Sequence, residues 1–351
     1  MPRGFDSKLR ATLLGMVTLA CPSLARAANE AHVRTPVLWP SECGVIVDRS
    51  VDAIVHLDYS IPVEDTQLTP EELPDSRTHQ FIALCRERPL TDLLPSWLTR
   101  DDVERSAAAG LIESAALSSE AILDESPHWS DCLVRITDDD DRRPITFTQA
   151  ALGVDWDTSE VPVGVWSVVG HTFEPPLNLW RDRPGFVKIV DDRSDAEQDL
   201  PAIALLGDEQ VLEPGQTVAL DGCVDVLEPA TLALEWAEFA PELVWHPLQE
   251  VAVDGDGPLP LALTLPSETA DRELLIRATL TDALGRERLT HLQARVSVLP
   301  CPPGGCPEPP PSEPEPGEAS RPGCACATPI SPRALGLLLL PVLLRRRRLP
   351  T

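Results

Sequence analysis

Reaction signatures are the main thing this sequence is missing. It contains no G-x-S-x-G elbow, no H-E-x-x-H helix, no P-loop and no S-x-x-K, so the common nucleophilic, zinc-hydrolytic and nucleotide-handling chemistries have no local template. The seven histidines (His32, His56, His79, His128, His171, His246, His291) are scattered, and no C-x-x-C pair has partners at zinc spacing. Lysine and asparagine are nearly absent: Lys8 and Lys188, Asn29 and Asn178 are the full set. Beside abundant Ala, Arg, Pro and Val, that scarcity reads as coding bias. Basic charge is short as well, with 29 Lys+Arg against 56 Asp+Glu. An acidic chain of this kind argues against nucleic acid and anionic lipid as partners, since both need basic patches.

The two ends carry the clearest signals. Residues 1–27 read as a secretory signal: Arg3, Lys8 and Arg10, then an apolar stretch, then Ala25-Arg26-Ala27 as an A-x-A site that leaves Ala28 first. The competing reading makes Thr18-Leu19-Ala20-Cys21 a lipoprotein box. At the other end, the uninterrupted apolar run 334–344 falls short of the roughly 20 residues a spanning helix needs. Reaching that length brings in Pro329, Pro332 and Arg333. Four arginines, Arg345, Arg346, Arg347 and Arg348, follow as a cytoplasmic stop. Without both ends, Lys+Arg falls from 29 to 20 and Asp+Glu from 56 to 55, a net charge of −35.

The order Gly323-Cys324-Ala325-Cys326, Leu-rich segment, arginine cluster resembles the myxobacterial C-terminal sorting signal known as MYXO-CTERM. The resemblance implies export, processing near Cys324 by membrane sorting machinery, and retention at the outer cell surface. A second cysteine, Cys326, and proline inside the apolar segment depart from the pattern. A plain single-span anchor is the alternative.

Eight cysteines remain after the signal, allowing 105 pairings by spacing alone. Disulfides are expected in an exported chain. Cys43, Cys85 and Cys132 lie early and Cys223 lies alone, which leaves either a bridge between two domains or one free thiol. Cys301 and Cys306 could close a small local loop.

Between the ends the patterning is mainly β and reads as two β-sandwich domains, which the resemblances given below make immunoglobulin-like. The first covers 28–192. Short β-branched runs at 44–48, 53–59, 81–85, 132–137, 145–148, 154–158, 161–170 and 186–190 read as strands. Residues 91–117 have helical spacing instead and form a helical insertion, with Asp101 or Asp102 starting its second helix. The Pro/Gly turn feeding a strand with Trp166 resembles the last hairpin of immunoglobulin-like and fibronectin-like sandwiches. Trp156, Trp166 and Trp180 read as core. An acidic linker, 193–200, follows.

The second domain, 201–300, has a turn-then-alternation pattern at 213–220, a strand with a core tryptophan at 232–236, and a closing hairpin at 274–298. Its Thr281-Asp-Ala-Leu-Gly285 turn resembles that of bacterial polycystic-kidney-disease-type modules. The segment 301–323 is proline-rich, a stalk of roughly 60 Å. The tail 324–351 is the sorting or anchor segment.

No catalytic set is assigned. His56 and Asp58 share one face if 53–59 is a strand, a base and its orienter without a nucleophile. Calcium is the one cofactor the pattern supports, through loop carboxylates: Asp138, Asp139, Asp140 and Asp141 in a hairpin turn, Asp191 and Asp192 at the domain junction, and Asp254 and Asp256. None completes a ligand spacing, and a solvated acidic turn is the preferred reading of them. The expected role is an exported, surface-anchored protein used in binding, adhesion or envelope architecture, with an extracellular protein or glycan as partner. The alternative is a surface hydrolase with its site between the helical insertion and the first sheet.

Overall fold

The computed structural model describes residues 34–88, 94–113 and 117–305. The signal segment, most of the proline-rich stretch, Cys324 and the four terminal arginines lie outside the described residues. The described chain is mainly β, with sandwich packing throughout.

In the first half, one sheet runs in the order Gly44–Asp48, Phe186–Val190, Gly164–Phe173, Thr78–Cys85, Leu133–Arg135. Leu179–Asp182 pairs beside Gly164–Phe173, and Arg143–Pro144 beside Thr78–Cys85. A two-stranded ribbon, Ile54–Leu57 with Val154–Asp157, covers one face. Alternation drives the packing: Val55 and Leu57 point inward while Ile54 and His56 point out. The core between the layers is Tyr59, Phe81, Trp156, Trp166, Val187 and Ile189. Trp166 closes its corner by donating Nε1–H to the Pro162 carbonyl at 3.2 Å.

Among the described residues, the insertion holds less helix than its spacing predicts. Arg100–Ala108 is helical, but Trp97 sits in a bridge to Ile122 rather than in a helix. Thr99, not an aspartate, is the cap, accepting from the Asp102 N–H at 3.1 Å. Asp101 and Asp102 occupy the first turn, where their charge faces the helix dipole's positive end. Residues 145–148 are not a strand. Ile145 makes a single bridge to Asp65, and Thr146 then caps the one-turn helix Phe147–Ala150 through the Gln149 N–H. The local hydroxyl bond competes with strand pairing and wins.

The second half packs a three-stranded sheet (Ala202–Leu206, Thr217–Asp225, Gly257–Thr264) against a larger one. That one runs Gln210–Leu212, Val296–Val298, Arg272–Thr281, Ala230–Glu238, His246–Val253, with Glu287–His291 beside Arg272–Thr281. Leu220, Leu232, Leu234, Trp236, Leu263, Leu274, Ile276 and Leu280 fill the space between. The closing hairpin has a clear local cause. Asp282 accepts from the N–H groups of Leu284 and Arg286 and from the Arg286 guanidinium, and Gly285 supplies the positive φ of 73° that the turn requires. Burial pushes the Asp282 carboxyl up, but these donors outweigh it and hold the group below its usual range.

Candidate functional site

The two halves meet across the strand Phe186–Val190. Its residues alternate: Val187 and Ile189 enter the first core, so Phe186, Lys188 and Val190 face the other way. Phe186 packs there with Val165, Ala202, Ala204 and Cys223, and Cys43 lies against the same cluster. The small side chains of Ala202 and Ala204 let the strands approach closely. Cys43 and Cys223 form a disulfide joining the halves, and Cys85–Cys132 forms a second within the first. Of the two readings of the lone cysteine, the bridge between halves holds. Cys301 is disulfide-bonded as well.

The acidic 193–200 segment is largely exposed, as repulsion between its charges predicts, but it is anchored. Arg286 donates to the carbonyls of Ala196 and Asp199. Arg288 crosses to Glu87 at 2.6 Å.

Beside this junction lies a hollow of about 450 Å³. The first half contributes Arg86, Trp180, Arg181, Asp182 and Arg183, and the second Leu205, Leu206, Asp208, Asp221 and Gln293. Arg86 is 2% exposed. Its Nε and Nη2 donate to the Gly185 carbonyl at 3.1 and 2.6 Å, and its Nη1 has no hydrogen-bond partner among the described residues. Burial pulls this guanidinium down to about 10, against the opposing charge of Asp182, so it stays cationic at neutral pH. Arg183 is likewise lowered by burial and is held by Glu42 at 2.6 Å. Trp180, which sequence reasoning placed in the core, is only half-buried. Its ring lies tilted by 31° against His171 with centroids 4.2 Å apart, and it donates to the Pro95 carbonyl. An aromatic wall, a buried cation, rim carboxylates and an amide form a mixed polar surface of the kind that orients a polar ligand.

The acidic residues singled out from sequence are not brought together. Among the described residues, no group of three or more His, Cys, Asp or Glu is placed to hold a metal ion. Asp138, Asp139, Asp140 and Asp141 do not sit in a hairpin turn, because both flanking strands pair with Thr78–Cys85 instead of each other. Asp139 is occupied by Arg135, Arg142 and Gln80 at 2.7, 3.1 and 3.0 Å. Burial raises its carboxyl, but these donors prevail and lower it. Asp191 pairs with Arg49 at 3.0 Å, and Asp192 caps its own turn through Ser194. Asp254 is exposed, and Asp256 accepts from the Val226 N–H at 2.7 Å.

His56 and Asp58 do share a face, at 3.4 Å, and the paired strand adds Asp155 at 2.7 Å from Nδ1. The Asp155 hydrogen bond raises the imidazole above its usual value, assisted by both carboxylate charges. All three side chains are at least half exposed. Among the described residues His56 hydrogen-bonds only to carboxylates, so the geometry is a base and its orienters without a nucleophile.

Between the insertion and the sheet, Asp102 receives Arg105 and Arg142 at 2.7 and 2.5 Å. The Arg142 guanidinium also lies 4.3 Å over the Phe173 ring. His171 is fully buried beside this group, with neither ring nitrogen hydrogen-bonded among the described residues. The arrangement is a packed ionic layer fastening the helix to the sheet.

Sequence reasoning missed Arg86 and Lys188. The available signal for Lys188 was one lysine inside the otherwise apolar run Phe186-Val-Lys-Ile-Val190.

No protein-family model matches this chain. No curated protein matches it either. Among solved structures, one similar chain is murine CRIg, 14% identical, covering 28% of this chain and 97% of that one with a TM-score of 0.20. A score that low carries no argument about fold or function. Among the described residues, no helix is long and apolar enough to cross a membrane.

Proposed function

We propose that this chain is an exported binding protein retained at the outer cell surface, with its ligand site in the hollow between the two sandwiches. The observation that carries the reading is that hollow, built at a junction which the Cys43–Cys223 bridge fixes. A site lined from two halves that cannot drift apart is preformed, and preformed sites bind without an ordering cost. Disulfides suit an oxidising compartment, which supports export. On this reading residues 1–27 are removed, 301–323 is the stalk, and Cys324 with the arginine end directs sorting. The lining combines Trp180 with Arg181, Asp208, Asp221 and Gln293, a set matched to a polyhydroxylated ligand, so the partner is an extracellular glycan. The hydrolase alternative, with its site between the insertion and the sheet, meets the Asp102, Arg105 and Arg142 layer there, and His56 with Asp155 and Asp58 has no hydroxyl or thiol hydrogen-bonded to it among the described residues.

A glycan array probed with the full chain, followed by titration of the hits, tests this. The wild type binds at least one glycan. The rim changes Arg181→Ala and Asp221→Ala each weaken it about 10-fold or more, the scale of a lost hydrogen bond to a charged group. Absence of any glycan binding, or binding indifferent to both changes, rejects the hollow as the site.

A further inference from the structure

The strongest unassigned constellation is the one around Lys188. Lys188 is the single lysine beyond Lys8, and it is 2% exposed. Its ammonium contacts two carboxylates: Asp225, itself 6% exposed, through Oδ2, and Asp199 through Oδ1 at 2.5 Å. Arg193 holds the other oxygen of Asp225, with Nη2 at 2.7 Å from Oδ1.

Both reacting groups sit on paired backbone. Lys188 lies between Ile46 and Val165 in its sheet, and Asp225 ends the strand that pairs with Ala202. The apolar cluster of Phe186, Val165, Ala202 and Ala204 flanks the site.

We infer that Lys188 and Asp225 condense into an intramolecular isopeptide bond that staples the two sandwiches together. Keeping an ammonium and a carboxylate buried carries a desolvation cost that their attraction only partly offsets. A neutral amide removes both charges at once. In water the condensation is unfavourable, but groups fixed in contact react as though at effective concentrations of about 10⁵–10⁸ M.

The step balances without any cofactor. The ammonium passes one proton to Asp199, and the free amine attacks Cγ of Asp225. The C–N bond forms as negative charge develops on Oδ1, where the Arg193 guanidinium stabilises it. Oδ2 then leaves as water, taking the proton returned by Asp199 and a second proton from the amine nitrogen. Ammonium and carboxylate thus become amide and water, with no change of oxidation state. Lys188 is the nucleophile and Asp225 the electrophile. Asp199 is the proton relay.

The test is the intact mass of the full chain after complete reduction and denaturation, with lysine acylation as a second readout. The wild type is expected about 18 Da below its sequence mass, one water lost, with Lys188 refractory to the reagent and a branched peptide joining residues 188 and 225. Lys188→Arg, which keeps the charge but cannot form this amide, restores the full sequence mass. Asp225→Ala restores it too, and leaves Lys188 open to acylation. Asp199→Asn slows the loss of water in freshly made protein. A wild-type chain at its full sequence mass, with Lys188 acylated after denaturation, overturns the inference and leaves the cluster a buried ion pair. The wild-type reading needs no variant to fold.

Discussion

Acidification from pH 7 to pH 5 is expected to destabilise this protein steeply, well before its carboxylates titrate. Three histidines are buried and held neutral. Burial lowers His79 to about 4, against a hydrogen bond to the Thr35 carbonyl and the charge of Asp65. Burial lowers His171 to about 3, reinforced by Arg142 and Arg135. Burial also lowers His291 to about 4, with Arg277 adding to it. An unfolded histidine titrates near 6.5. Above that pH neither state binds the proton and these residues contribute nothing. Below it the unfolded chain takes up protons that the folded chain refuses, so stability falls by up to about 1.4 kcal/mol per pH unit for each, roughly 4 kcal/mol per unit for the three, until the folded values are reached.

The roughly 1.5 units between 6.5 and pH 5 thus remove about 6 kcal/mol, a large share of a typical total of about 5–15 kcal/mol. His56, raised in the folded state, works in the opposite sense: its contribution is present at low pH and lost as pH rises. It is half exposed and screened, so its share is small. Urea melts at pH 7, 6 and 5 measure the slope. His171→Phe, which keeps a ring against Trp180, should remove about a third of it. A slope unchanged in that variant contradicts the buried-neutral assignment.

Breaking the bridge between the halves is the second large effect. Cys43→Ala with Cys223→Ala opens a loop of sequence separation 180 and is expected to cost about 2–5 kcal/mol, the usual range for a native disulfide. The consequence is qualitative as well. In a chain that also carries Lys188→Arg, so that no amide joins the halves, the two cores, one around Trp156 and Phe81 and one around Trp236 and Ile276, are expected to unfold in separate transitions in calorimetry. The Cys85→Ala, Cys132→Ala pair, whose bridge stays inside the first half, lowers only the first of these. A single transition at an unchanged midpoint in the Cys43→Ala, Cys223→Ala, Lys188→Arg variant contradicts the account of the junction.

Strands were legible in short apolar runs closed by polar residues, as in Gly44–Asp48 and Arg272–Thr281. The Asp282 turn was legible because all its hydrogen bonds are local. Errors arose where a hydroxyl intervened. Thr146 turned an apparent strand into a helical turn, and Thr99 capped the helix ahead of the aspartates.

The candidate site was not legible. Its lining comes from residues 86, 180–184, 205–208, 221 and 293, segments that pattern alone cannot bring together. The acidic candidates rested on composition, which records that Asp139 is charged but not that Arg135 and Arg142 already pair with it. Lys188 was passed over because an isolated lysine reads as solvent-facing until the second sandwich closes on it.

Display at the cell surface is the claim on which the functional proposal depends. Its most direct test is the mass of the protein recovered from the surface of intact cells, with both termini mapped and free thiols counted. The account predicts a chain beginning at Ala28, ending near Cys324 with a modification there, and with no free thiol at Cys43, Cys85, Cys132 or Cys223. A chain that keeps Arg345–Arg348 and is recovered only with the inner membrane, or one with those cysteines reduced inside the cell, contradicts it.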